Sequence, residues 1–288
     1  MAARRQAGGA GVKVTKPITV EDTARRALEG DREALDALVR ALQGDIYGLA
    51  LRMLWNREDA EDATQEILIR IVTHLSQFGF RSRLKTWAYR LAVNHILDVK
   101  KSAIERLHLS FERFADDLTA GLQPTSVADT EQSLLIDEVK VGCSMAMLQC
   151  LDRPHRAAYV LGEIMELSGP EAAEVLEISP VLFRKRLQQA REAVITFTRS
   201  HCGLVSDAAP CRCHRRLPAG ATTDGAEPRP LKFGRRASSF QEARALVHQV
   251  DEARRAIELY RTSQPRASSI DFAQRLLDAI EQSGNPSA

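Results

Sequence analysis

Apolar residues recur at the three- and four-residue spacing of an α-helix over two long stretches, from about residue 20 to 101 and from about 131 to 199. Because a helix has about 3.6 residues per turn, this spacing gathers the apolar side chains on one face that can be buried. No segment alternates apolar and polar residues for long enough to predict a β-strand. The sequence therefore predicts an all-α fold with two helical domains.

Segments with few core-forming residues separate and follow these blocks. Residues 111–133 are acidic and contain Gly121 and Pro124, which predicts a flexible linker placed at 102–130. Residues 217–239 have the Pro, Gly and small-residue content of a second linker. Helical spacing returns over 240–262 and 269–282, with Pro265 between the two stretches.

The predicted organisation follows from these boundaries. It comprises a disordered N-terminus (1–16), a first helical domain (17–101), a linker (102–130), a second helical domain (131–199), a Cys/His-rich segment (200–216), a linker (217–239) and a helical hairpin as a C-terminal extension (240–284).

Composition excludes several classes of protein. Lys and Arg number 40 against 38 Asp and Glu, so only local segregation of charge can indicate a partner. The chain has no signal-peptide pattern and no run near the roughly 18 apolar residues of a membrane span. Five cysteines, absent before Cys143, do not form the framework of a secreted protein. We expect a cytoplasmic protein that does not contact a membrane.

Residues 167–194, LSGPEAAEVLEISPVLFRKRLQQAREAV, predict a helix, a short turn and a second helix. Pro170 suits a first helical turn, and Ser179 followed by Pro180 is typical of an N-cap and first helical position. One face of the second helix can pack on the first: Phe183, Leu187, Ala190 and Val194. The opposite face is outward: Val181, Arg184, Lys185 and Gln188. Such side chains can bind base edges or phosphates in a major groove, which indicates a recognition helix; a solvated basic face is the alternative.

Residues 55–101 predict an acidic helical face followed by a basic one. The acidic face combines carboxylates at four-residue steps with one neighbour: Glu58, Asp62, Glu66 and Asp59. A basic partner would relieve the repulsion between them; a merely solvated face is the alternative. The second face lies within about 20° of one line on the helical wheel: Arg83, Arg90, Asn94 and Lys101. Trp87 borders that line, so the surface suits phosphate contact and base stacking, unless the Trp belongs to the core.

Two blocks resemble the extracytoplasmic-function (ECF) sigma factors of bacterial RNA polymerase. One is WNREDAEDATQEILIRIVTHLSQFGFRSRLKTWAYRLAVNHILDVKK (55–101), similar to region 2 of that family. The other is MLQCLDRPHRAAYVLGEIMELSGPEAAEVLEISPVLFRKRLQQAR, similar to region 4. Its matching positions are Leu148, Leu151, Arg156, Leu161, Leu167, Ser168, Glu171, Ala172, Ala173, Leu176, Ser179, Arg184, Arg186, Leu187, Ala190 and Arg191. Glu177 departs from the family, which usually has glycine at this turn.

The resemblance implies a function, partners and site residues. Residues 17–101 would dock on core RNA polymerase and open the −10 element of promoter DNA, and 131–199 would read the −35 element. The implied polymerase contacts are Glu58, Asp59, Asp62, Gln65 and Glu66. The implied DNA contacts are Arg83, Lys85, Trp87, Arg90, Asn94, Lys101, Ser179, Val181, Arg184, Lys185, Gln188 and Arg191. The sequence leaves open whether an anti-sigma factor is a further partner.

Other classes of protein explain less of the sequence. An enzyme is not indicated, because the chain has no Gly-rich phosphate loop or Ser/His/Asp arrangement. A helix-turn-helix regulator that is not a polymerase subunit has no need for both faces of residues 55–101. A helical adaptor would leave the pattern from Ser179 to Arg191 unexplained.

The segment HCGLVSDAAPCRCH (201–214) concentrates metal-binding residue types. Cys202, Cys211 and Cys213, with His201 or His214, supply the ligand set of a tetrahedral zinc site, and thiolates also suit copper. A disulfide from Cys202 to Cys211 or Cys213, and an inert cluster, are the alternatives. No other cofactor is expected. Cys143 and Cys150 are interpreted as small buried apolar residues of a helix.

Overall fold

The computed structural model describes residues 19–99, 106, 108–120, 132–216 and 240–283. These residues form twelve α-helices, and their β-structure is limited to one isolated bridge between Cys202 and Cys211. The all-α prediction is confirmed. Several predicted features lie outside the described residues: the 1–16 terminus, Lys101, most of the 102–130 linker, the 217–239 linker and the side chain of His214.

The first domain is built around one long central helix. Its helices are α1 (Val20–Leu28), α2 (Arg32–Leu54), α3 (Arg57–Thr73) and α4 (Leu84–Asp98). Helix α2 packs against the other three, with Leu38, Leu42 and Ile46 fully buried. Trp55 ends α2 in a left-handed conformation, and the Asn56 side chain then caps α3. This short connection sets α3 beside α2 and leaves its acidic side outward.

A short helix lies inside the predicted linker. Helix α5 (Phe111–Ala120) buries Phe114 and Leu118, and the Phe114 ring stacks on that of Phe197 at 5.5 Å between centroids. The prediction that this segment has too few core residues is therefore wrong for 111–120. Aromatic contact from α5 to a distant helix supplies the burial that local spacing did not reveal.

The second domain contains the predicted helix-turn-helix. Helix α6 (Gln132–Gln149) precedes α7 (Arg153–Tyr159), which continues into a π-helical turn at Val160–Ile164. Helices α8 (Gly169–Val175) and α9 (Pro180–His201) follow. Ser168 and Glu171 form a capping box at the start of α8, and Ser179 caps α9. Caps and prolines thus set both boundaries where the sequence predicted them.

The two domains pack directly against each other. Helix α8 lies on α4, and α7 lies on α2. Arg153 donates hydrogen bonds of 2.9 Å to the carbonyls of Leu97 and Val99, at the end of α4. Buried Arg156 donates to the carbonyl of Met53 near the end of α2, as well as to carbonyls of its own domain. These guanidinium groups satisfy carbonyls that a helix end leaves without partners.

The C-terminal extension lies across both domains. It contains α10 (Phe240–Val247), a 3-10 turn (Glu252–Arg254), α11 (Arg255–Thr262) and α12 (Phe272–Ser283). Helix α12 packs on α2 and α3 of the first domain, whereas α11 packs on α6 and α9 of the second. The predicted two-helix hairpin is wrong in detail, since the pattern over 240–262 breaks after Val247 and leaves Leu246 exposed. Helices this short depend on tertiary contacts, so the two domain surfaces decide where they end.

No helix in these described ranges has the length and apolar character needed to cross a membrane.

Candidate nucleic-acid and polymerase interfaces

The outward face of α9 is formed as the sequence predicts. Val181 is 66% exposed, and Arg184, Lys185 and Gln188 are also exposed. The opposite face is buried against the rest of the domain: Phe183, Leu187, Ala190 and Val194. Gln188 donates a 2.9 Å hydrogen bond to Glu192, an exposed contact that a base edge can replace. The arrangement can present donors to a DNA groove.

Two predicted contacts of this helix have other partners. The Ser179 hydroxyl accepts a 3.2 Å hydrogen bond from the Leu182 amide as the N-cap of α9. Arg191 pairs with Glu163, a residue that is only 4% exposed. A buried carboxylate left without its cation would be costly, so Arg191 is held toward its own domain. A phosphate contact by Arg191 would have to break this pair.

The polar line on α4 faces the second domain. Arg83 pairs with Glu171 at 2.9 Å, and Asn94 donates a 2.9 Å hydrogen bond from Nδ2 to Glu177. Lys85 pairs instead with Asp45 of α2 at 2.8 Å. Arg90 is half-buried. Two of the predicted DNA contacts are therefore bound to carboxylates of the helix-turn-helix.

Trp87 lies in the core. It is 6% exposed, and its ring packs on that of Phe78 with 5.4 Å between centroids. Phe80, which has a left-handed backbone, extends the cluster through Phe78. The large apolar ring gains more from this burial than from exposure at the surface, so the predicted base-stacking role of Trp87 does not fit this arrangement.

The acidic side of α3 is only partly free. Glu58, Asp62 and Glu66 are exposed, whereas Asp59 and Gln65 are half-buried. Glu66 lies 3.7 Å from the ring of His95, whose pKa burial lowers. Because a neutral imidazole adds little to balance a carboxylate, the negative field of this face persists. The geometry suits a basic docking partner.

Glu171 and Glu177 are functional candidates that sequence reasoning did not select. Hydrogen bonds from Ser168 lower the pKa of Glu171, with Arg83 adding to the effect, so its carboxylate is ionised. Glu177 has a φ of 52°, so the turn keeps a left-handed conformation although the residue is not glycine. In the sequence, the replacement of the family's usual glycine by Glu177 was the signal that could have identified this residue.

The cysteine-rich segment folds against α6. Its 3-10 turn, Cys213–Arg216, contacts that helix, and the thiol of Cys143 lies close enough to those of Cys202 and Cys211 to interact electrostatically. Burial raises the pKa of Cys143 to about 12 and that of Cys202 to about 11. Cys143 therefore packs against the core as a small apolar residue, and its thiol also interacts electrostatically with the cysteine-rich segment.

The predicted histidine ligand His201 has another role. Its Nδ1 lies 3.0 Å from the Phe197 carbonyl, and its ring stacks on Phe197 at 4.6 Å. All five cysteines are free thiols. Among the described residues, no three Cys, His, Asp or Glu side chains are already arranged around a common point for a metal ion. Metal binding would require the thiols to reorient.

Comparison with known proteins identifies the relatives of this chain. The family model for Sigma-70 region 2 matches residues 38–103. The ECF RNA polymerase sigma factor SigW of Bacillus subtilis (strain 168) is 30% identical over 182 residues, which are 62% of this chain and 95% of the relative. The RNA polymerase sigma-H factor of Pseudomonas aeruginosa is 29% identical over 183 residues, 60% of this chain and 91% of the relative. A regulator that is not a polymerase subunit is therefore not favoured.

Among solved structures, this chain is similar to the structure of CnrH in complex with the cytosolic domain of CnrY. The match covers 59% of this chain and 91% of the matched chain in that structure. The sequence identity is 22% and the TM-score is 0.43.

Proposed function

This chain belongs to the ECF sigma factors of the sigma-70 family, and we propose that it uses α3 to bind core RNA polymerase and α4 and α9 to bind promoter DNA. The observation that carries the proposal is the outward set on α9, Val181, Arg184, Lys185 and Gln188, in a chain that also exposes an acidic α3. A polymerase subunit needs both surfaces. We place its action in the cytoplasm, where the polymerase acts.

Helix α9 would read the −35 element from the major groove. Its N-terminal turns carry the exposed side chains, and in helix-turn-helix proteins these turns approach the base edges first. Arg184 can donate two hydrogen bonds to guanine, and Gln188 can pair with adenine. Lys185 is suited to a phosphate, which fixes position without reading sequence.

Helix α4 would bind the opened strand of the −10 element. Arg83, at the N-cap of α4, and Asn94 are exposed on the side that faces region 4, and Arg90 is half-buried. Phosphate contact by arginine and a hydrogen bond from asparagine suit a single strand. Since Trp87 is buried, stacking would have to come from another side chain or from a rearrangement of the loop at Phe78–Phe80.

Helix α3 would dock on a basic surface of the polymerase. Glu58 and Asp62 lie one turn apart on its exposed side, with Asp59 and Glu66 adjoining them. Opposite charge across such an interface increases the association rate and fixes the orientation of the complex.

A second proposal concerns the cysteine-rich segment. We infer that Cys202, Cys211 and Cys213 bind one zinc or copper ion with Cys143, in place of His201, as the fourth ligand. Four thiols suit a tetrahedral soft-metal site, and His201 is engaged with Phe197. Ligation would deprotonate and reorient the thiols, coupling metal binding to the fold of the 200–216 segment.

The decisive test of the sigma-factor function is initiation by purified core RNA polymerase on a promoter of this protein's own regulon. We expect specific transcripts only when the full chain is added. A protein that binds the promoter but leaves core polymerase unable to initiate would contradict the proposal.

A further inference from the structure

Two carboxylates of region 4 bind two exposed residues of region 2, and these two residues are proposed to bind the opened DNA strand of the −10 element. Glu171, in the first turn of α8, pairs with Arg83. Glu177, just after α8, accepts the hydrogen bond from Asn94. Helix α8 itself packs on α4, between these two contacts. A DNA strand could not lie along this part of α4 while α8 is packed there.

The chemistry of both contacts resembles that of DNA binding. A carboxylate offers charged oxygen acceptors to a guanidinium group, as a phosphate does. The amide of Asn94 donates to Glu177 as it would to a base or a phosphate oxygen. The two glutamates therefore satisfy the same donors that promoter DNA would use.

Glu177 holds its contact in a strained backbone. Its φ of 52° is a conformation that favours glycine, because a Cβ there meets the following carbonyl. Glycine would relieve that strain but could not reach Asn94. The side chain at this turn thus has a role that the turn geometry alone does not require.

The contacts are weak enough to be reversed. Arg83 is 77% exposed in its pair with Glu171, and exposed ion pairs contribute little to stability. A polymerase that binds the two domains at separate places can release them without unfolding either one. The buried cores of the domains do not depend on the two carboxylates.

We propose that region 4 is an internal competitor for the −10 strand: in the free protein Glu171 and Glu177 occupy Arg83 and Asn94, and separation of the two domains on the polymerase releases them. This inference rests on the proposed function of α4. It explains how a free sigma factor would be kept from binding single-stranded DNA without the polymerase.

The test compares two variants of the full chain that each remove two carboxylates from region 4. Glu171→Gln with Glu177→Gly removes the negative charge opposite Arg83 and the acceptor opposite Asn94, while the glutamine oxygen can still accept the hydrogen bond that caps α8. Glu174→Gln with Glu192→Gln removes two exposed carboxylates of α8 and α9 and serves as the control. Affinity for a labelled single strand carrying the −10 sequence is measured by fluorescence anisotropy at fixed salt, without polymerase.

We expect the first variant to bind the strand roughly three- to tenfold more tightly than the wild type, and the control to change less than twofold. Circular dichroism and thermal unfolding would establish that both variants are folded. Equal gains in the two variants would overturn the internal competition, since net charge alone would then decide binding. No gain in the first variant would also overturn it, since the two glutamates would then not compete with the strand. Transcription with core polymerase is assayed in parallel: if the wild type fails to initiate there, the proposed function falls, whatever the strand affinities are.

Discussion

Asn94 of α4 donates a 2.9 Å hydrogen bond to Glu177, the residue at which the chain turns between the two helices of the helix-turn-helix. The two residues are 83 positions apart and belong to different domains. Each was notable in the sequence for a separate reason, Asn94 for its place on a polar line and Glu177 for replacing glycine. Their contact joins the surface proposed to bind the −10 strand to the turn that positions the helix proposed to read the −35 element.

Substitution at Glu177 should separate backbone strain from the contact with Asn94. Glu177→Gly and Glu177→Ala both remove the carboxylate, but only glycine relieves the left-handed conformation. We expect Glu177→Gly to be more stable than Glu177→Ala by about 1 kcal/mol in free energy of unfolding. Urea denaturation of the full chain measures the difference. Equal stability of the two variants would mean that the turn is not strained.

Local patterns predicted the helices, and contacts between distant segments did not follow from them. Ser168, Ser179 and the prolines after them set the boundaries of α8 and α9, because caps act on neighbouring backbone groups. Helix α5 was missed because Phe114 is buried by Phe197, a residue far away in the chain. Domain packing likewise depends on Arg153 and Arg156 reaching helix ends, which no spacing rule indicates.

In the candidate sites too, features decided by a single helix were predictable, and contacts between distant segments were not. The outward side of α9 was predictable from helical periodicity, because a single helix decides it. The partners of its polar residues were not, so Arg191 was assigned to DNA although buried Glu163 binds it. The position of Trp87 beside a polar line on α4 predicts base stacking, with burial in the core as the alternative, and its packing on Phe78 favours the core.

Substitutions on the recognition helix should reduce −35 binding in a sequence-dependent way. Arg184→Ala and Gln188→Ala should each cost about 1 to 3 kcal/mol on the preferred duplex, because each removes a base contact. Arg199→Ala is the control: this exposed arginine lies near the other end of the same helix and pairs with Glu252. Anisotropy with duplexes of altered sequence measures the effect. The same loss on every duplex would make Arg184 a phosphate contact, and no loss would remove the assignment.

Charge reversal on α3 should weaken binding to core polymerase. Asp59→Lys with Asp62→Lys inverts the face proposed to dock, so we expect at least tenfold weaker association with core enzyme, as for loss of about 1.4 kcal/mol. The control is Glu112→Lys with Asp116→Lys, which makes the same change in charge at two exposed positions of α5. Duplex binding through α9 should persist in both variants. Wild-type affinity of the α3 variant for core would show that its acidic face is only solvated.

The extension should detach from region 2 when one aromatic residue is removed. Phe272 of α12 is 2% exposed and packs on Tyr47 of α2 at 6.2 Å between ring centroids. Phe272→Ala should therefore cost about 3 to 5 kcal/mol of local stability and increase proteolytic release of the extension. Ile280→Ala, at a position of α12 that is 38% exposed, should behave like the wild type. If both variants resist protease equally, α12 does not depend on this contact.

Cysteine substitutions should distinguish a metal site from a disulfide or an inert cluster. Protein purified without chelator should carry close to one zinc or copper ion per chain, and the Cys202/Cys211/Cys213→Ser triple variant should carry none. Cys143→Ser should also lose most of the ion, because Cys143 is the proposed fourth ligand and its thiol interacts electrostatically with those of Cys202, Cys211 and Cys213. Cys150→Ser, just beyond the C-terminal end of the helix that carries Cys143, is the matched control and should retain it. Metal content is measured by inductively coupled plasma mass spectrometry, and free thiols are counted after denaturation with and without reductant. Because we propose that metal binding is coupled to the fold of the 200–216 segment, promoter-specific transcription should change in the variants that lose the ion and stay unchanged in Cys150→Ser. Two missing thiols restored by reductant would indicate a disulfide instead, and metal-free protein with full activity and five free thiols would leave the cluster without a metal-binding role.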